Sequence, residues 1–174
     1  MSRKRQVFVA GALALAFLLQ LAVMPQFKLL GVQPDLLLVV AVVVAIQDGP
    51  IQGAVAGFCG GMLQDLVSPL VMGMGALTKT VTAYLAGSLK GFFVTYSILL
   101  PVILVFLAGV ADPVMHQVML IILGQEKLPP FQVNVILASA IYDVLAVLVV
   151  YPLMGRFSFP GQGDSLALLR SGGE

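Results

Sequence analysis

An uncharged apolar run near the start of the chain most constrains how this sequence can fold. The run follows the basic residues Arg3, Lys4 and Arg5 and ends at Pro25. Residues 7–24 form a stretch of about 18 residues, which is long enough to cross a bilayer as an α-helix. The basic start is typical of a signal peptide, but no Ala-x-Ala-like cleavage site follows it. We therefore predict a retained membrane anchor.

The composition extends this prediction to the rest of the chain. Of the 174 residues, 60% are hydrophobic and only 10% are charged, whereas about 25% of residues are charged in soluble domains. Six helices of about 20 residues each would use roughly 120 residues, which leaves only short connections. We therefore expect one integral membrane domain over residues 1–174 and no soluble domain of ordinary size.

The apolar runs predict an all-α bundle of six transmembrane helices. We place the helices at residues 7–24, 36–46, 51–67, 76–89, 94–123 and 131–154. We expect Gly49 and Pro50 to form a turn between the second and third helices, because glycine and proline favour backbone angles that do not continue a helix. The second run is short, since its 11 residues extend about 16 Å against a hydrocarbon core of roughly 30 Å. The fifth run is long, and we expect it to be tilted and kinked at Pro101 and Pro113.

The basic residues predict the orientation of the six-helix arrangement. If the N-terminus is cytoplasmic, six basic residues lie inside and two lie outside, as the positive-inside rule requires. The inner set is Arg3, Lys4, Arg5, Lys90, Arg156 and Arg170, and the outer set is Lys28 and Lys127. A five-helix arrangement would move Arg156 and Arg170 outside, which the rule disfavours. We therefore expect both termini in the cytoplasm.

Small residues recur every four positions on two predicted helices, so each set lines one helix face. The sets are Gly53, Gly57 and Gly61 on the third helix, and Ala83, Gly87 and Gly91 on the fourth. Such faces let helix backbones approach closely, which promotes association in lipid, where the hydrophobic effect cannot act between helices. Two interpretations stay open. The first is packing within the bundle, which such faces serve most often, and the second is docking of another protein's helix.

Two aspartates lie at the outer ends of predicted helices. A charged side chain at the bilayer centre costs about 2.5–3.5 kcal/mol, so the position of each aspartate requires an explanation. Asp35 precedes the second helix and Asp65 ends the third, and we expect both to stay hydrated near the interface. The carboxylate of Asp65 is expected to accept backbone N–H bonds from the turn at residues 68–75. A ligand or partner contact at this outer rim is the alternative.

Four further ionisable residues fall inside predicted helices: Lys79, Asp112, His116 and Asp143. Asp112 and His116 are four residues apart, so they share a helix face and are able to pair. Intramembrane carboxylates and histidines are typical of proton or ion paths. The alternative is an internal pair of Lys79 with an aspartate that only fixes helix packing.

Other function classes lack the residues that they need. A net charge of +1 gives no electrostatic footprint for nucleic acid. A serine or cysteine nucleophile would have only His116 as its base, and a zinc site needs three or four ligands that one histidine and scattered aspartates supply only by coincidence. No phosphate-binding P-loop is present. We therefore expect no enzymatic activity, no cofactor and no metal.

Several short motifs resemble a known family. In chain order they are Pro34-Asp35-Leu36-Leu37-Leu38, Gly49-Pro50, Gly57-Phe58 with Gly61, Gln64-Asp65-Leu66, and Pro69-Leu70 ahead of Ala76-Leu77. Their order and spacing over residues 33–91, in a chain of this size, resemble the bacterial rod shape-determining protein MreD. Lys79 departs from the mostly apolar family pattern, and so do Asp112 and His116.

The resemblance implies a bacterial inner-membrane protein without catalytic residues that works in the cell-elongation machinery. The partners it implies are MreC, the MreB cytoskeleton, RodA and a class B penicillin-binding protein. The fold it implies is similar to the substrate-binding subunits of energy-coupling-factor transporters. We therefore expect a scaffold that holds a partner's transmembrane helix on its glycine faces and anchors it through Asp35 and Asp65. The alternative is a small-solute-binding subunit of a membrane transporter.

Overall fold

The computed structural model describes residues 3–22, 32–67, 72–90, 99–124 and 132–156. These residues form six α-helices and no β-strand. The helices are α1 (Arg3–Ala22), α2 (Leu36–Asp48), α3 (Pro50–Asp65), α4 (Met74–Leu89), α5 (Leu99–Ile122) and α6 (Val133–Arg156). The all-α class is therefore confirmed for the described part of the chain. Three of the helices, α1, α5 and α6, are long and apolar enough to cross a membrane.

Two helices differ from the predicted runs at their starts. α1 begins at Arg3, ahead of the predicted start at residue 7, because lysine, arginine and glutamine are good helix formers. α5 is described from Leu99, so residues 94–98 of the predicted fifth run lie outside the described residues. Pro101 lies in the first turn of α5, where its missing N–H breaks no helical bond, whereas Pro113 lies in the helix interior. Of the two predicted kink sites in α5, only Pro113 therefore removes a helical hydrogen bond.

The short second helix lies at the centre of the bundle. α2 contacts the five other described helices, and its residues from Leu36 to Ile46 are all buried. A helix that is apolar on every side is expected where protein surrounds it. α2 therefore meets protein instead of lipid, and its 13 residues need not match the thickness of the hydrocarbon core.

Both ends of α2 are set by boundary residues. Asp35 caps the start, where its Oδ1 accepts the N–H of Leu38 at 3.0 Å. Gly49 follows the last turn with a φ of 108°, a conformation that glycine adopts far more readily than other residues. Pro50 then opens α3 at the first helical position, where proline is favoured. The predicted turn between the second and third helices is confirmed.

The small-residue face of α3 packs inside the protein. A Cβ atom added at Gly57 or Gly61 would overlap the backbone of α4, and one added at Gly53 would overlap Ala45 of α2. These glycines therefore let three backbones approach one another closely. Packing within the bundle is the interpretation that the structure supports for this face.

The matching face of α4 is also occupied by the protein itself. A Cβ atom added at Gly87 would lie 2.7 Å from the Cα atom of Pro50. Ala83 is fully buried, and Gly91 lies outside the described residues. Docking of a partner's helix on the described members of these two faces is therefore a wrong prediction, because helices of the same chain already fill them.

Candidate functional site

A lysine and two aspartates form a buried ionic cluster between three helices. Lys79 of α4 is only 2% exposed. Its Nζ donates to Asp35 Oδ2 at 2.5 Å and to Asp112 Oδ2 at 3.1 Å. Asp35 caps α2 and Asp112 lies in α5, so one ammonium joins α2, α4 and α5. The internal pair of Lys79 with an aspartate, one of the two interpretations of the sequence, is present.

Asp143 of α6 extends this ionic cluster. Its side chain is buried, and its Oδ1 accepts the backbone N–H of Asp35 at 2.7 Å. Gly109 of α5 makes room for the carboxylate, since a Cβ atom added there would lie 2.8 Å from Asp143 Oδ2. The sequence pattern places Asp35 at the outer rim, apart from the intramembrane residues, and gives no signal at Gly109. The fold places all of them together.

His116 does not pair with Asp112, although their spacing would allow it. The described residues contain no hydrogen bond or ion pair between these two side chains, and the Asp112 carboxylate binds Lys79 instead. The spacing of four residues places both on one face of α5. The packing of α4 against α5 then brings the Lys79 ammonium to that carboxylate, so the pair that the spacing permits does not form.

Asp65 holds the start of α4. Its Oδ2 accepts the N–H of Gly73 at 2.9 Å and of Ala76 at 3.1 Å, and its Oδ1 accepts the N–H of Gly75 at 3.1 Å. A carboxylate at this position satisfies free N–H groups and opposes the positive end of the helix dipole. The predicted backbone bonds are confirmed. The predicted hydration is wrong for Asp65, which is only 7% exposed, while the Asp35 side chain keeps 21% exposure.

A polar cavity of about 190 Å³ opens beside the ionic cluster. The residues that line it include Asp35, Asp112, Asp143, Gln20 and Gln64. No signal in the sequence marks Gln20, because one glutamine within an apolar run makes no pattern. Within the described residues, no group of three or more histidine, cysteine, aspartate or glutamate side chains is arranged to hold a metal ion.

A larger apolar groove of about 710 Å³ runs between α1 and α6 over the surface of α2. Its α1 wall contains the small residues Gly11, Ala12 and Ala16, and its length along α1 is about 17 Å. A Cβ atom added at Gly11 would have no other atom within 4 Å, so the groove is open at that point. The one sequence signal for this groove is that Ala12 and Ala16 have the same four-residue spacing as the glycine faces.

Arg5 links helices at the Met154 end of the groove. Its Nε donates to Asp48 Oδ2 at 3.0 Å, and its Nη1 donates to the carbonyl oxygen of Met154 at 3.4 Å. These bonds tie α1 to the end of α2 and to the last turn of α6. In the sequence Arg5 is one of the charges that predict orientation, whereas the fold buries it among these partners.

Comparison with known proteins gives the family. The model of the rod shape-determining protein MreD matches residues 2–158, which include all six described helices. The chain belongs to the MreD family. The match confirms the resemblance carried by the motifs in residues 33–91. No curated protein and no solved structure matched the chain, so the similarity to energy-coupling-factor subunits stays a prediction.

Membership in the MreD family gives this protein a role in determining rod shape. The family consists of shape-determining structural proteins that are not known as enzymes. Location in a membrane agrees with the family and with the apolar helices α1, α5 and α6. The family is part of the rod-shape system, which is consistent with partners in a complex.

Proposed function

We propose that this MreD-family protein is a non-enzymatic scaffold of the bacterial cell-elongation complex. In this proposal it binds MreC and helps to organise lateral peptidoglycan synthesis, with MreB, RodA and a class B penicillin-binding protein in the same complex. All six helices cross the inner membrane as one domain, and both termini face the cytoplasm. Family membership supports the proposal, and the apolar groove between α1 and α6 is the structural observation that carries it.

The apolar groove suits a single transmembrane helix of MreC. Such a helix satisfies its own backbone hydrogen bonds and offers apolar side chains along its length. Gly11, Ala12 and Ala16 let a second backbone approach α1 closely, which gives the van der Waals contacts that hold helices together in lipid. The groove therefore replaces the glycine faces of α3 and α4 as the docking surface, because helices of the same chain already fill those faces.

Gly11→Leu tests this role of the groove. The new side chain would project into the groove without meeting another atom at its Cβ, so the bundle should fold and insert as before. We expect co-purification of MreC to fall by roughly tenfold or more, because overpacking of an interface costs about 1–3 kcal/mol. Gly155→Leu is the matched control, since its Cβ is equally free and Gly155 does not line the groove. Full retention of MreC by Gly11→Leu would show that MreC docks elsewhere.

The second candidate function is a small-solute-binding subunit of a membrane transporter. The polar cavity favours it, because Asp35, Asp112 and Asp143 all line this cavity. Small-ligand sites are concave and hold a few converging polar groups. Such a subunit would need a separate partner to supply energy for transport.

A further inference from the structure

Three buried oxygen atoms around the polar cavity have no hydrogen-bond partner within the described residues. They are Asp112 Oδ1, Gln20 Oε1 and Gln64 Oε1, and all three residues line the cavity. Buried acceptors in native proteins are nearly always paired, and those that are not require an explanation. The polar cavity therefore suits an occupant that donates hydrogen bonds.

We propose that the polar cavity binds a small primary amine in its ammonium form. A primary ammonium has three N–H donors and no acceptor, which matches the three unpaired oxygens. These oxygens come from three different helices, because Gln20 lies in α1, Gln64 in α3 and Asp112 in α5. The bound amine would satisfy acceptors on all three helices at once.

The charges around the cavity favour a cation. Asp35, Asp112 and Asp143 line it, and Lys79 is the one cationic side chain that bonds to any of them within the described residues. Asp35 and Asp112 together place two carboxylates against the single Lys79 ammonium, and this formal negative excess attracts a further cation strongly in a poorly hydrated interior. Asp112 is only 8% exposed. Its Oδ2 binds Lys79, while its Oδ1 has no hydrogen-bond partner within the described residues.

The size of the cavity favours a molecule over a bare ion. At about 30 Å³ per water, a volume of about 190 Å³ accommodates about six non-hydrogen atoms. A bare sodium ion is too small to fill this space. The cavity lies where α1 ends and α2 begins, which is the outer side in the predicted orientation. Either a soluble amine or the ethanolamine headgroup of a lipid can supply an ammonium from that side.

Calorimetric titration of the purified full-length protein in detergent tests the ligand class. The probe is ethylammonium chloride, and the comparison salts at equal ionic strength are tetramethylammonium chloride, which has no N–H donor, and sodium chloride. We expect saturable binding of ethylammonium alone. Absence of ethylammonium binding would overturn the proposal, and so would equal or tighter binding of tetramethylammonium or sodium. MreC takes no part in this measurement, so its result is independent of the scaffold proposal.

Gln20→Leu tests whether the amine binds in this cavity. The Gln20 oxygen makes no hydrogen bond within the described residues, so its removal should leave the fold intact, as circular dichroism can verify. We expect ethylammonium to bind about tenfold more weakly, because a hydrogen bond to a charged donor is lost. Gln132→Leu is the control, since Gln132 is exposed and does not line the cavity. Unchanged ethylammonium affinity in Gln20→Leu would exclude the cavity as the site.

Lipid nanodiscs distinguish the two sources of the amine. If the ethanolamine headgroup is the natural occupant, ethylammonium will bind more weakly in phosphatidylethanolamine discs than in phosphatidylcholine discs. Equal affinity in the two discs would identify a soluble amine as the source. Weaker ethylammonium binding in phosphatidylcholine discs than in phosphatidylethanolamine discs would contradict both sources of the amine, because the choline headgroup has no N–H to donate and cannot compete.

Discussion

Replacing Lys79 with methionine tests how far the ionic cluster stabilises the bundle. Methionine has a similar length, so the change removes the ammonium and little packing. Asp112 then loses the one hydrogen bond described for its carboxylate. Asp35 keeps its bond to Leu38 and its partial exposure. We therefore expect most of the lost stability to arise at Asp112, which becomes an uncompensated buried charge.

The size of this effect follows from the burial of the two carboxylates. Removing one partner of a buried ion pair costs about 3–5 kcal/mol. The lower end of that range applies here, because the Asp35 side chain keeps 21% exposure and contact with solvent. A loss of about 3 kcal/mol lowers the folding equilibrium constant by roughly two orders of magnitude. Adding Asp112→Leu also removes the unpaired buried charge. The double variant should therefore recover roughly half or more of the stability lost in Lys79→Met.

Unfolding by sodium dodecyl sulfate, followed by far-ultraviolet circular dichroism, measures these differences in the purified protein. Helix content is the suitable observable, because the chain has no tryptophan to report unfolding by fluorescence. Lys4→Met is the control, since it removes a charge from an exposed position. An unfolding midpoint for Lys79→Met equal to that of the unaltered protein would refute the reasoning. A double variant no more stable than Lys79→Met would also refute it.

Two local features give further tests by the same unfolding assay. Gly57→Leu should destabilise the bundle by about 3 kcal/mol or more, because its side chain meets the backbone of α4, whereas Gly155→Leu should stay within about 0.5 kcal/mol of the unaltered protein. Equal midpoints for the two variants would contradict close packing of α3 on α4. Asp65→Ala should cost about 2–3 kcal/mol, because N–H groups at the start of α4 lose a charged acceptor. Hydrogen exchange in the first turn of α4 should then become faster, and unchanged protection there would show that Asp65 does not hold that turn.

Local pattern was sufficient to predict the helices and several of their ends. Each described helix overlaps one of the predicted apolar runs, because a chain in lipid must satisfy its backbone hydrogen bonds within itself and therefore becomes helical. The Gly49-Pro50 turn was predictable from the conformational preferences of those two residues alone. The bonds from Asp65 to the start of α4 were predictable as well, because acceptor and donors are only 8–11 residues apart in the chain.

The sequence by itself therefore determined the all-α class, the helix positions and the four-residue spacing of the glycine faces. Only the tertiary structure decided what each helix face packs against. It placed α2 at the centre of the bundle. It also brought Lys79 into contact with Asp35 and Asp112, which lie 44 and 33 residues away in the chain. It also brought Gln20 to the polar cavity and Gly11 to the apolar groove. Periodicity within one helix shows which residues share a face, but the partner of that face depends on packing between segments that are distant in the chain.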